Sequence, residues 1–174
     1  NKALQLGFSH AIQVDADCQH NLEDIGTFTA VAQQHSNALI LGYPEYDASV
    51  PKHRYYARYL THIWIWINTL SLSIRDTMCG FRAYPVARSC QLINTQNIGN
   101  RMDFDSDFVV RWFWAKEPVV QQETKVTYPE DGISTFRPFK DNVLISSMHA
   151  RLFFGMLIRL PMLLLNRNTA VDAK

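Results

Sequence analysis

Cysteine is scarce in this chain. Cys18, Cys79 and Cys90 are the three cysteines among 174 residues, and no two stand in a C-x-x-C spacing. An odd count without paired spacing argues against a disulfide framework or a thiolate metal site, and for a reducing compartment. No run of about 18 uninterrupted apolar residues occurs, so no segment reads as a convincing spanning helix. Residues 1–8 lack the long apolar core of a secretory signal. Charge of one sign is also lacking: 17 Lys+Arg meet 16 Asp+Glu, and a net charge of +1 excludes a generally basic nucleic-acid binder. The six histidines form no H-x-x-x-H pair, and there is no Walker loop, G-x-S-x-G elbow or G-x-G-x-x-G. What remains is a globular composition, 47% hydrophobic and 19% charged, of a length suited to about one domain.

The balanced charge hides a segregation. Between Asp47 and Asp76 there is no acid, while Lys52, Arg54, Arg58 and Arg75 supply +4. From Arg137 to the end the balance is again +4, which leaves −7 on the remainder. Both basic segments are strongly apolar. In the first, Arg54, Arg58 and His62 recur every four residues and share a helix face, with Tyr56, Tyr59, Ile63, Ile67 and Leu70 on another. The second runs from Asp141 to Leu165. Basic residues interleaved with Trp, Tyr, Phe and Leu suit helices in a membrane interface; packing on a protein core is the alternative.

Strands and helices alternate along the chain. A helix end stops at Gly7, and His10–Val14 reads as a strand. Asn21 is a plausible N-cap for a helix carrying Leu22, Ile25, Phe28 and Ala32. Residues 38–42 form a strand broken by Gly42-Tyr-Pro44, with a loop over 43–52 and the aromatic helix to about Leu72. A turn-and-strand unit surrounds Gly80, and residues 86–93 look helical. Phe104, Phe108 and Trp112 predict a helix over 103–116, and 118–128 is strand-like. Pro129-Glu-Asp-Gly132 is a turn, and a helix capped at Asp141 is kinked or ended by Pro161. The alternation predicts an α/β layered fold with a largely parallel sheet.

Four segments carry chemistry. Gln13-Val-Asp15-Ala-Asp17-Cys-Gln19-His20 places two carboxylates two apart where a strand gives out. Extended residues i and i+2 point the same way, toward the strand end where open α/β sheets bind ligands. Paired carboxylates suit Mg²⁺ or Mn²⁺ shared with phosphate oxygens; alternatively they cap the next helix or stay solvated. In Arg75-Asp-Thr-Met-Cys-Gly-Phe-Arg82, Gly80 permits a close backbone approach, Arg82 is a natural phosphate clamp, and Asp76 is a general base or an arginine partner. In Met102-Asp-Phe-Asp-Ser-Asp-Phe-Val-Val-Arg111, Asp105 and Asp107 look into a site from a helix N-terminus, or Asp107–Arg111 is only a helix ion pair. Asp131-Gly-Ile-Ser-Thr-Phe-Arg137 offers a hydroxyl and a cation, or is an ordinary loop.

Taken in order, Asp15-Ala-Asp-Cys-Gln-His20, Cys79-Gly-Phe-Arg82, Asp103-Phe-Asp-Ser-Asp107 and Tyr128-Pro-Glu-Asp-Gly-Ile-Ser134 resemble family 2 glycosyltransferases of the GT-A fold. The nearest likeness is to the dolichol- and polyprenyl-phosphate sugar synthase branch. Phe136-Arg-Pro-Phe-Lys-Asp-Asn and Met148-His-Ala-Arg-Leu-Phe-Phe-Gly-Met-Leu also look like bacterial members associated with aryl-polyene clusters. The likeness covers nearly all of this chain but only part of the family's domain, so a piece of a longer protein is expected. It implies that residues 1–140 are the C-terminal portion of a catalytic domain and 141–174 a basic, apolar helical tail.

The resemblance implies a role for each matching residue. Asp15 and Asp17, with Gln19, would hold Mg²⁺ or Mn²⁺ and the donor pyrophosphate. Arg82 would contact phosphate, and Ser134 and Arg137 would close over the site. Asp76, Asp105 and Asp107 are the acid or base candidates, with Asp107 preferred if the acceptor is a hydroxyl; a phosphate acceptor, already ionised, needs little base help. The family carries Gly where Cys18 stands. The implied activity is inverting transfer from a UDP- or GDP-sugar to a lipid or lipid-phosphate acceptor, at the cytoplasmic face of the inner membrane, peripherally bound and without nucleic acid. The competing reading is a non-catalytic fragment that docks on membrane or a partner. A phosphatase using Asp15 would want Thr where Gln19 stands.

Overall fold

The computed structural model describes residues 1–46, 52–127, 136–165 and 170–173. In chain order the elements are α1 (Lys2–Gln5), β1 (His10–Gln13), α2 (Asp24–Gln34), β2 (Leu39–Tyr46), α3 (Lys52–Thr69), β3 (Arg82–Pro85), α4 (Val86–Thr95), α5 (Phe104–Trp114), β4 (Val119–Val126), α6 (Pro138–Leu165) and β5 (Ala170–Asp172). The fold is α/β. Five strands lie in the order β1-β3-β2-β4-β5.

The sheet is mixed rather than largely parallel. β3 runs antiparallel to both β1 and β2, while β2–β4 and β4–β5 are parallel pairs. The cause lies in the segment before β3. After α3, the chain turns at Leu70 (φ 52°) and runs back along the helix. Trp66 Nε1 donates to the Ile74 carbonyl, and Arg58, two turns earlier on α3, meets Asp76. This second pass returns the chain to the end where β2 finished, so β3 must run the other way.

Several boundaries differ from expectation for local reasons. Gly7 (φ 77°) does end α1: the Phe8 N–H bonds the Ala3 carbonyl and the Gly7 N–H bonds that of Leu4. Asn21 does not cap α2. Its Oδ1 accepts the Glu23 N–H at 3.2 Å in a local turn, and the helix starts at Asp24. Leu22 and Ile25 stay exposed, while Phe28, Val31 and Ala32 are buried. β2 continues through Pro44 to Tyr46 instead of breaking at Gly42. The Gly42 N–H points to the Phe81 carbonyl. By alternation the Pro44 nitrogen faces that same edge, beyond the end of β3, where no ladder donor is needed. α6 starts three residues before Asp141, with Pro138 in its first turn. Asp141 Oδ2 accepts the Arg137 N–H at 2.6 Å, and the helix passes Pro161 without ending.

Each face of the sheet carries its own core. On one, Leu39, Leu41 and Val119 meet Phe108, Trp112 and Phe113 of α5, Ile65 of α3, and Met148, Leu152 and Met156 of α6. On the other, Ile40, Ala83 and Val120 meet Phe28, Val31 and Ala32 of α2, with the Phe28 and Phe81 rings stacked at 4.2 Å. Each such large side chain, fully buried, contributes about 1.5–3 kcal/mol. α6 therefore shares the core of the preceding elements, and β5 completes the sheet.

By length and composition α6 could cross a membrane. The apolar run is interrupted by charges, but it is long enough when averaged over the helix. One face of α6 is nonetheless spent on the core.

Candidate active site

β1, β2 and β4 end at the same edge of the sheet. From the end of β1, residues 14–20 cross this edge to the end of β4, where the Thr127 N–H bonds the Gln19 carbonyl and His20 bridges Val126. Asp15 and Asp17 project from the crossing and are exposed. The strand stops at Gln13, so their orientation comes from a turn and not from an extended chain. Cys18 sits at φ 60°, and Asp17 Oδ1 accepts the Gln19 N–H at 3.1 Å. This left-handed conformation suits glycine, and a side chain there costs about 1 kcal/mol. Burial pushes the His20 pKa down, against the opposing charges of Asp15 and Asp17. Its buried Nδ1 has no hydrogen-bond partner among the described residues.

The turn before β3 meets this crossing. The Asp15 carboxyl lies flush on Gly80, in the space a Cβ would need. Asp76 holds the turn. It is 2% exposed and accepts from Arg58 at 2.5 and 2.9 Å, from His62 Nε2 at 3.1 Å, and from the Met78 and Cys79 N–H groups at 2.7 Å each. Burial alone would raise its pKa, but the Arg58 charge and the His62 and Arg58 hydrogen bonds outweigh it and hold the carboxyl well below the carboxylate range. Such a group is an ionised tie, unsuited to accepting a proton. Burial, with the Asp76 charge, pushes the Cys79 thiol up to about 12, so it is inert.

Arg82 differs from its expected role. It is fully buried; Nε donates to the Cys79 carbonyl at 2.9 Å, Nη2 to that of Thr77 at 2.5 Å, and Nη1 to that of Asp105 at 3.1 Å. The guanidinium clamps the turn to the start of α5 instead of presenting itself to a phosphate. Its Nη1 also lies 3.0 Å from Asp105 Oδ1, without hydrogen-bond alignment. Burial raises the Asp105 pKa; Arg82 opposes this and the Asp15 charge adds to it. Gln13 links the group: the Tyr84 hydroxyl donates to its Oε1 at 2.8 Å, and its Nε2 approaches Asp15 Oδ1 at 3.5 Å.

Asp107 faces away from Asp105 into a separate network. Completely buried, it meets Arg111 Nε at 2.5 Å, Arg151 Nη2 at 3.1 Å and the Gly99 N–H at 3.0 Å. The helix ion pair anticipated for Asp107–Arg111 is present, and Arg151 of α6 joins it across the two helices. Ser134 lies outside the described residues. Arg137 is exposed at the head of α6.

Three of the four segments thus converge, through Asp15, Gly80 and Asp105. Sequence reasoning singled out these residues but missed Gln13 and Tyr84, which join them, and the Arg58–His62 clasp on Asp76. The Arg58 and His62 spacing on one helix face was the available signal. Among the described residues no group of three or more His, Cys, Asp or Glu forms a metal cage. Two exposed carboxylates, one seated on a glycine that leaves room for it, still fit an ion that draws its other ligands from phosphate and water. No family model, curated protein or solved structure matches the chain.

Proposed function

We propose that this chain is the acceptor-side portion of an inverting, metal-assisted glycosyltransferase of the GT-A type, moving a sugar from a UDP- or GDP-sugar to a lipid-linked or lipid-like acceptor. The observation that carries this reading is the seat of Asp15 on Gly80. It joins the Asp15-Ala-Asp17 segment to the Cys79-Gly-Phe-Arg82 segment at the strand ends, where an α/β sheet binds ligands.

Asp15 and Asp17, with Gln19, would hold Mg²⁺ or Mn²⁺. The ion when bound would neutralise charge on the diphosphate leaving group. The chain's own residues do the positioning. Asp76, clasped by Arg58 and His62, and Arg82, bound to three carbonyls, fix the turn that backs Asp15. A preset site needs little reorganisation during reaction.

The outer faces of α3 and α6 support peripheral membrane binding, which the transferase reading would place at the cytoplasmic face. Tyr59, Leu60, Ile63, Trp64 and Ile67 on α3 are exposed, as are Phe154, Leu157, Ile158 and Leu165 on α6. This surface is also what favours the second reading, a non-catalytic docking fragment. Hydrolysis of a panel of UDP- and GDP-sugars with Mg²⁺, Mn²⁺ or chelator, beside Asp17→Ala, separates the two. Metal-dependent release from one donor, lost in the variant, supports the transferase. Absence of donor binding and turnover supports docking alone.

A further inference from the structure

We infer that Gln121, in the middle of β4, is a positioning residue for the candidate site: it fixes the backbone of residues 73–75 and through it the turn on which Asp15 is seated. Its consequence for the donor rests on the transferase reading above; the contacts that carry it lie within the protein.

Gln121 is a polar residue in an inner strand. Its neighbours Val119 and Val120 are buried, and it is itself 3% exposed. A buried amide costs free energy unless its donors and acceptor are matched. Here both ends are used. Oε1 accepts the Arg75 N–H at 2.7 Å, and Nε2 donates to the Ser73 carbonyl at 2.9 Å. Bonding the carbonyl before Ile74 and the N–H after it is what one residue of a parallel strand does to its neighbour. The side chain thus serves as a strand partner for a segment that belongs to no strand. Ile74, held between the two bonds, is buried in the core.

Asp76 follows at once. Its carboxylate accepts the Met78 and Cys79 N–H groups at 2.7 Å each, and Gly80 then carries the Asp15 carboxyl. The return pass is therefore fixed from two sides, on α3 by Arg58 and His62 and on β4 by Gln121. β5 supports the second. The Ala170 N–H bonds Ser73 Oγ at 3.0 Å, and Asp172 Oδ1 accepts from Gln121 Nε2 at 3.4 Å. The Arg75 guanidinium pairs with Asp172 and lies over the Tyr43 ring, 4.6 Å from its centroid. The side chains of that ion pair are 50% and 45% exposed, where such a pair contributes little. The buried amide, not the exposed pair, sets the path of the backbone into the turn. A shift of about 1 Å in such a support is enough to weaken a site it holds.

The test compares wild type with Gln121→Met, Gln121→Glu and Asp172→Asn. Met keeps the size and removes both bonds. Glu keeps the acceptor for Arg75 and loses the donor for Ser73. Asn at position 172 removes the charge of the ion pair and keeps an acceptor for Gln121. Amide hydrogen exchange is followed at Met78 and Cys79, with Val31 of α2 as the reference from the other core. Affinity for fluorescent UDP and GDP with Mn²⁺ is titrated alongside. Gln121→Met should speed exchange at Met78 and Cys79 by about 10-fold or more beyond any change at Val31. It should also weaken nucleotide binding by about 10-fold. Gln121→Glu should fall between it and wild type, and Asp172→Asn should match wild type. If Gln121→Met does not fold, the same selective loosening is required of Gln121→Glu. Exchange that speeds equally at Val31 would make the residue merely structural and overturn the inference. So would unchanged exchange at the turn, unchanged nucleotide affinity in a variant whose turn has loosened, or an effect of Asp172→Asn as large as that of Gln121→Met. Wild type that binds neither nucleotide counts against the transferase reading instead, and the exchange comparison still decides whether Gln121 holds the turn.

Discussion

The Asp15 carboxyl occupies the space that a side chain at Gly80 would fill. Two segments more than sixty positions apart are therefore fitted to each other at the level of one methyl group. Gly80→Ala should expel the carboxyl from its seat while leaving both cores intact. The expected outcome is a loss of metal-dependent donor binding of about 10-fold or more, with melting lowered by only a few degrees. Titration of a fluorescent nucleotide with Mn²⁺ reads the first, and thermal unfolding the second. Unchanged donor affinity would remove Asp15 from the binding site.

Asp76 presents a different balance. Asp76→Asn keeps the shape but leaves Arg58 facing a neutral amide, and should cost about 3 kcal/mol of stability. The sign of the pH effect follows from its depressed pKa. The stabilisation is complete above the ordinary carboxylate range and is lost as pH falls through and below that range. Wild type should therefore lose stability in acid more steeply than Asp76→Asn. Denaturant unfolding at several pH values checks this. A variant as stable as wild type but inactive would restore Asp76 as a catalytic base.

Much of the fold was legible because periodicity reports burial. Phe104, Phe108 and Trp112 mark α5, and Gly7 marks the end of α1. The reversal of β3 was not legible. Strand direction depends on the return pass of residues 70–81 along α3, and no pattern within Arg82–Pro85 encodes it. The acids on α5 show the same limit at the site. Asp105 and Asp107 are two residues apart, so about 200° separates them around the helix, and only one can face the sheet edge. Spacing shows that they diverge, but not which one faces Asp15. Arg82 misled for a related reason: its residue type suits phosphate, while its place at the start of an inner strand turns it to the carbonyls of Thr77, Cys79 and Asp105.

His149, on α6, should also make folding pH-sensitive. It is buried against Trp64, their rings 5.8 Å apart, and Asn68 Nδ2 donates to its Nδ1 across 3.5 Å. Its Nε2 has no hydrogen-bond partner among the described residues. Burial, only partly offset by Asp107, lowers its pKa to about 4. The unfolded chain takes up a proton first, near the ordinary value. Stability should fall as pH drops from about 6.5 to about 4, by at most about 3 kcal/mol, and level off below. His149→Phe should flatten that slope in melts recorded across the interval. An equal slope in the variant would show that the ring is not buried neutral.

The joint outer face of α3 and α6 makes the remaining prediction. Phe154, Ile158 and Leu165 are exposed on α6, while Met148, Leu152, Met156 and Leu163 of the same helix are buried in the core, and Ile158 is 80% exposed. Lys140 is exposed on the same helix. Apolar contact and attraction to anionic headgroups act together in such a surface, and salt weakens only the second. Flotation with vesicles rich in anionic lipid should therefore recover the chain at low salt and progressively less as salt is added. Ile158→Glu should reduce recovery about 10-fold or more without shifting the melting temperature, since the side chain supports no packing in the fold. Recovery that is equal on neutral vesicles would assign binding to apolar contact alone. No recovery on either would leave this face to a protein partner and remove the membrane from the proposed function.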